Sequence, residues 1–164
     1  GTHIALTRQD REFIILAGGK PLMSSRMHGS EQALATFGCR DVPRTSPRVL
    51  VGGMGMGFTL RATLDALPED ATVVIAELIP EVVEWNRGPL GPLANHPLRD
   101  PRVQVALGDV GEAIRAPRVP FHAILLDVDN GPDAFTAPGN AAAEGEYRRA
   151  GSGSRPARRE ILLG

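Results

Sequence analysis

Gly52-Gly53-Met54-Gly55-Met56-Gly57 stands between an apolar run, Val49 to Val51, and a helix-forming stretch, Phe58 to Leu67. Glycines at such a junction let a strand turn sharply into a helix and let a ligand approach the backbone without a Cβ in the way. The helix start beyond them offers N–H groups with no intrahelical partner. The same alternation then repeats: Thr72 to Ala76, Pro80 to Arg87, Val103 to Leu107, Gly111 to Ala116, and Ala123 to Leu126 ending on Asp127. Short apolar runs alternating with amphipathic stretches predict an α/β unit. Its sheet is expected to be parallel with helices on both faces, because right-handed crossovers leave few other topologies. Pro80 suits a first helical turn, and Gly88-Pro89 ends the same helix.

Ahead of this unit, Ile4 to Leu6, Glu12 to Leu16 and a run around Leu22 predict a small antiparallel β-layer, with Gly18-Gly19 as one of its turns. A helix is expected over Ser30 to Phe37, capped by Ser30 and stopped by Gly38, so that residues 1–40 form the N-terminal layer and helix. Asp41 to Pro47 reads as a linker. The α/β unit occupies 48–135. Beyond Asn130 the alternation fails, and 140–164 reads as a poorly structured tail with five Arg against three Glu and no assigned function. The C-terminal elements that would complete the sheet are therefore expected to be absent, which would leave an apolar edge and invite dimerisation.

Composition excludes several classes. Eighteen Lys plus Arg against 19 Asp plus Glu give a net charge of -1, so no basic field draws nucleic acid or an anionic membrane surface. One cysteine, Cys39, rules out an internal disulfide and fits a reducing, cytoplasmic setting. No run is long enough to span a membrane, and the start at Gly1 lacks the regions of a signal peptide. His28, His96 and His122 have no metal-ligand spacing with one another or with Cys39, so no metal is expected. Ser24, Ser25 and Ser30 lack a nucleophile-elbow context. Val82 and Trp85 share a helix face and read as core.

The chemistry-bearing residues fall at predicted strand ends. A dinucleotide fingerprint starting at Gly53 and Gly55 would need glycine at position 58, where Phe58 stands. The spacing present, Gly53-x-Gly55-x-Gly57, is the form found in S-adenosylmethionine-binding domains of Rossmann-like fold, where no pyrophosphate has to be cradled. Glu77 ends the second strand, twenty residues beyond Gly57, where a carboxylate can accept from both ribose hydroxyls. Asp109 follows the third strand and reads equally well as an acceptor for an adenine amino group and as a helix N-cap. Asp127 and Asp129 follow the fourth strand, where carboxylates could orient an amine and take up its proton. The bland reading of that segment is a turn built on Asp129-Asn130-Gly131-Pro132.

In their order along the chain, Val49-Leu50-Val51 with the glycine loop and Leu60-Arg61, Glu77 with Ile79-Pro80-Glu81-Val82-Val83, Asp100-Pro101-Arg102-Val103, Gly108-Asp109 and Leu126-Asp127 resemble the spermidine synthase family of aminopropyltransferases. A weaker likeness covers the N-terminal strands with Met23-Ser24-Ser25-Arg26-Met27-His28-Gly29-Ser30-Glu31. The resemblance implies a Rossmann-like parallel sheet of the S-adenosylmethionine-dependent methyltransferase type behind a small β-layer, often dimeric. It also implies that Glu77 binds ribose, Asp109 the adenine and Asp127 the reacting amine. Family synthases usually carry Asp in the glycine loop where this chain has Met56, and a second acid where it has Asn130.

Three functions follow as expectations. The first is aminopropyl transfer from decarboxylated S-adenosylmethionine to an amine. The second is methyl transfer from S-adenosylmethionine, which needs no contact for an aminopropyl ammonium. The third is a non-catalytic adenosyl-binding or dimerisation module.

Overall fold

The computed structural model describes residues 3–26 and 28–127, and the backbone of 160–163. Its N-terminal layer is a three-stranded antiparallel sheet of β1 (Ile4–Gln9), β2 (Glu12–Ala17) and β3 (Lys20–Ser24), in that order. The chain then forms α1 (Ser30–Gly38), β4 (Arg48–Gly52), α2 (Phe58–Ala66), β5 (Thr72–Glu77), α3 (Pro80–Arg87), β6 (Val103–Leu107), α4 (Val110–Arg115), β7 (Ala123–Leu126) and β8 (Glu160–Leu163). Two 3-10 turns, Gly91–Ala94 and Pro97–Arg99, lie between α3 and β6. At the start of α1 the N-cap residue is Gly29, one position before the expected Ser30, and the Glu31 carboxylate reaches back to the Gly29 N–H at 2.5 Å.

The second sheet has the order β6-β5-β4-β7-β8, with every neighbouring pair parallel. From β4 the chain winds outward through β5 to β6, then crosses back to place β7 on the other side. This reversal puts the topological switch point at the carboxyl ends of β4 and β7, the usual ligand position in such sheets. Both faces are covered, so the strands are apolar almost without interruption. Val49, Val51, Val73, Ile75 and Leu125 pack with Leu34, Leu60, Leu64 and Val82 on one face. Leu50, Val74, Ala76, Ile124 and Leu126 pack with Val110 and Phe121 on the other. A third apolar cluster, centred on Ile15, Met56 and Leu90, joins the N-terminal layer to the glycine loop, and Trp85 packs at its margin as the core reading anticipates.

Strand β8 corrects the expectation that 140–164 is tail throughout and that no further strand joins the sheet. Glu160–Leu163 pairs along the open edge of β7, from Ala123↔Glu160 to Leu126↔Leu163. Three apolar residues behind an Arg-rich stretch are too short to show a period in the sequence, and only a parallel partner strand supplies the hydrogen bonds that make them a strand. The rest of the tail lies outside the described residues, as does Asp129.

Candidate functional site

The carboxyl edge of the parallel sheet collects the glycine loop, Glu77, Asp109 and Asp127, because each directly follows or ends a strand of the same direction. Gly53, Gly55 and Gly57 all have positive φ, at 92°, 48° and 88°. The Gly53 N–H donates to the Ala76 carbonyl at 2.8 Å, carrying the β4–β5 ladder into the loop. A turn then closes from the Gly57 N–H to the Met54 carbonyl at 2.9 Å, and its two central N–H groups, those of Gly55 and Met56, lie outside that hydrogen bond. Gly57 is the residue that launches α2, and a Cβ there would stand 3.0 Å from Asn86 Oδ1 and 3.1 Å from Pro97 Cγ, so both conformation and space require glycine.

Glu77 is buried at the end of β5. Its Oε2 accepts from the Met54 N–H at 2.7 Å and its Oε1 from the Ile79 N–H at 2.9 Å. Burial pushes this carboxyl above the ordinary glutamate range, while the backbone N–H groups of Met54, Ile79 and Leu78 pull it back. The side chain therefore braces the loop from below. A carboxylate offers about four acceptor positions, so these three N–H donors leave one for a ligand hydroxyl. The Glu77 carbonyl in turn accepts from the Gly108 N–H at 2.9 Å, which ties the end of β6 to the same point.

Asp109 caps α4: its Oδ1 accepts from the Gly111 N–H at 2.5 Å at the start of the helix. Asp127 is joined to the loop on two sides. Its N–H donates to the Gly52 carbonyl at 2.8 Å, and its Oδ2 accepts from Thr59 Oγ1 at 2.5 Å. Thr59, buried in the first turn of α2, was missed in the sequence. The signal that could have found it is a hydroxyl two residues past a glycine loop. Asn86, also buried and missed, donates from Nδ2 to the Gly55 carbonyl at 2.8 Å.

Apolar groups complete the surroundings. Met56 is 2% exposed and packs with Ile15 and Leu90, and Met23 of β3 lies against Gly55. The His28 ring stacks on Phe58 at 4.3 Å between centroids, above the start of α2. Leu78 and Leu107, which flank Glu77 and Gly108 at the strand ends, are 49% and 59% exposed. Among the described residues no group of three His, Cys, Asp or Glu side chains could hold a metal ion, and no helix is long and apolar enough to cross a membrane.

No protein-family model matches the chain, and no curated protein matches it by sequence. Solved structures do. A spermidine synthase from Thermotoga maritima superposes with a TM-score of 0.63 at 22% identity, over 77% of this chain and 43% of that one. A spermidine synthase in complex with the transition state analogue AdoDATO gives 0.65 at 23% identity, over 81% and 45%. An O-methyltransferase from Streptomyces achromogenes involved in tomaymycin synthesis, in complex with SAM, gives 0.50 at 21% identity, over 80% and 54%. The chain thus spans about half the length of these proteins. At such identities the likeness establishes the fold: this chain has the Rossmann-like α/β architecture that spermidine synthases share with S-adenosylmethionine-dependent methyltransferases.

Proposed function

We propose that the carboxyl edge of the sheet binds an adenosyl sulfonium donor and serves transfer of an aminopropyl group from decarboxylated S-adenosylmethionine to an amine. The observation that carries this reading is the Glu77 brace: a buried carboxylate at a strand end that holds the glycine loop through Met54 while retaining an acceptor position for a ribose hydroxyl. The exposed side chains of Leu78 and Leu107 offer apolar walls for a purine beside it. In the reaction the amine nitrogen attacks the carbon next to the sulfonium, the C–S bond breaks toward sulfur, and methylthioadenosine leaves. Asp127, oriented by Thr59, takes the proton that the amine sheds. Most of the rate gain would come from holding donor and acceptor in line.

One observation favours a second reading, methyl transfer from intact S-adenosylmethionine. Met56 is buried among apolar side chains, so the loop position where family synthases usually carry Asp supplies no carboxylate for an aminopropyl ammonium.

Calorimetric titration of the protein with S-adenosylmethionine, its decarboxylated form and methylthioadenosine, repeated on Glu77→Ala, separates these. Tighter binding of the decarboxylated donor supports aminopropyl transfer, and preference for the intact donor supports methyl transfer. Binding of none overturns both and leaves a non-catalytic module, which a stable dimer would favour.

A further inference from the structure

We propose that Asn86 is the positioning residue of the glycine loop, setting the direction in which the loop presents its N–H groups. The proposal deepens the adenosyl-binding reading and, for its ligand arm, rests on it.

Asn86 lies in the last turn of α3 and is 1% exposed. Asparagine is a poor helix former because its amide competes for backbone groups, and its burial is costly unless both N–H bonds are used. Here they are: Nδ2 donates to the Val82 carbonyl and to the Gly55 carbonyl, each at 2.8 Å. The opposite amide orientation would set Oδ1 against two carbonyl oxygens, so the hydrogen bonds assign the rotamer. Oδ1 is buried without a partner and faces Gly57.

The consequence is directional. In a trans peptide the C=O and the following N–H point to opposite sides, so fixing the Gly55 carbonyl toward α3 aims the Met56 N–H away from it. The loop is then held from two directions by two chemistries: Glu77 accepts from Met54, and Asn86 donates to Gly55. Neither side chain can substitute for the other. Asn86 also lines a cleft of about 260 Å³ together with Arg87, His96, Leu98 and Arg99. Truncating the amide would extend that cleft toward Gly57 and admit water behind the loop.

The test uses Asn86→Ala and the near-isosteric Asn86→Asp, whose carboxylate cannot donate to either carbonyl. Amide hydrogen exchange of residues 54–58 is compared with that of β4 and β5, and affinity for S-adenosylmethionine and methylthioadenosine is titrated at a temperature where all proteins are folded. Expected are exchange in the loop about tenfold faster with the strands unchanged, and affinity about tenfold weaker for the alanine variant and weaker still for the aspartate. Acceleration spread evenly over loop and strands with unchanged affinity would reduce Asn86 to a packing role and overturn the proposal. If the wild-type protein binds neither ligand, the functional reading falls, and the exchange comparison alone decides: unchanged loop protection in Asn86→Ala then overturns this inference as well.

Discussion

The two edges of the parallel sheet use polar side chains in opposite ways. At the carboxyl edge, Glu77 holds the backbone N–H groups of Met54 and Ile79, and Asp127 holds the hydroxyl of Thr59 in α2. At the amino edge, charges are matched. Arg102 grips Asp100 through two hydrogen bonds, at 2.9 and 2.8 Å, and its remaining Nη1 donates to the Leu64, Leu67 and Pro68 carbonyls at the end of α2. His122 and Arg48 exchange hydrogen bonds between the starts of β7 and β4. One edge spends its polar groups on closing the structure, while the other keeps acceptor capacity beside the glycine loop. Equally memorable sequence motifs therefore carry different work: Asp100-Pro101-Arg102-Val103 is a helix-end clamp, and Gly53-x-Gly55-x-Gly57 with Glu77 is the proposed ligand platform.

The contrast breaks first at Glu77. Glu77→Ala strips acceptors from two N–H groups and should cost about 2–4 kcal/mol of stability and on the order of 100-fold in adenosyl affinity, read by denaturant unfolding and titration. Its pH signature has a definite sign. Because burial raises this carboxyl in the folded state, its contribution is fully present below the ordinary value of 4.5 and is lost as pH rises through the folded value. Unfolding of the wild type compared with Glu77→Gln across that range should show the difference shrinking upward.

Arg102 should give the mirror image. Its hydrogen bond, ahead of its charge, holds the Asp100 carboxyl below the ordinary 3.8, so that stabilisation is present above 3.8 and is lost as pH falls through the folded value. Arg102→Ala leaves a half-buried carboxylate and three carbonyls without their donor, for a loss of about 2–3 kcal/mol. Adenosyl affinity of the folded variant should stay at the wild-type level. A tenfold loss there would show that the two edges are coupled and erase the distinction.

The elements were legible because periodicity and punctuation agree: Pro80–Arg87, Val103–Leu107 and Ala123–Leu126 form at the expected bounds. The strand-end positions of Glu77, Asp109 and Asp127 were equally readable, since they follow from spacing alone. Hydrogen-bond partners were not. Thr59 reaches Asp127 across 68 positions of sequence and Asn86 reaches Gly55 across 31, and no local pattern encodes a meeting set by helix packing. Strand β8 was hidden for the same reason, as its partner β7 lies far upstream.

A smaller effect should come from Thr59→Val, which keeps the shape of a buried side chain and removes the hydroxyl donated to Asp127. The expected cost is on the order of 1–2 kcal/mol. If Asp127 serves as the orienting base, turnover falls further than stability explains while donor affinity is preserved. Equal loss of donor affinity would move Thr59 and Asp127 from the reacting centre to the scaffold of the loop.

Asp109 should give the smallest effect and the cleanest separation of its two readings. Capping of α4 by the Asp109 carboxylate is a local interaction, and Asp109→Ala should cost about 1 kcal/mol. Asp109→Ser restores an oxygen at the cap and should recover most of that stability, because serine caps nearly as well as aspartate. A serine hydroxyl is shorter and uncharged, so it cannot both cap α4 and accept from a base amino group at the same reach. Stability restored with adenosyl affinity still reduced would assign Asp109 to both the helix and the ligand. Stability and affinity restored together would leave it a cap alone, and the adenine would then be held by the apolar side chains at the strand ends.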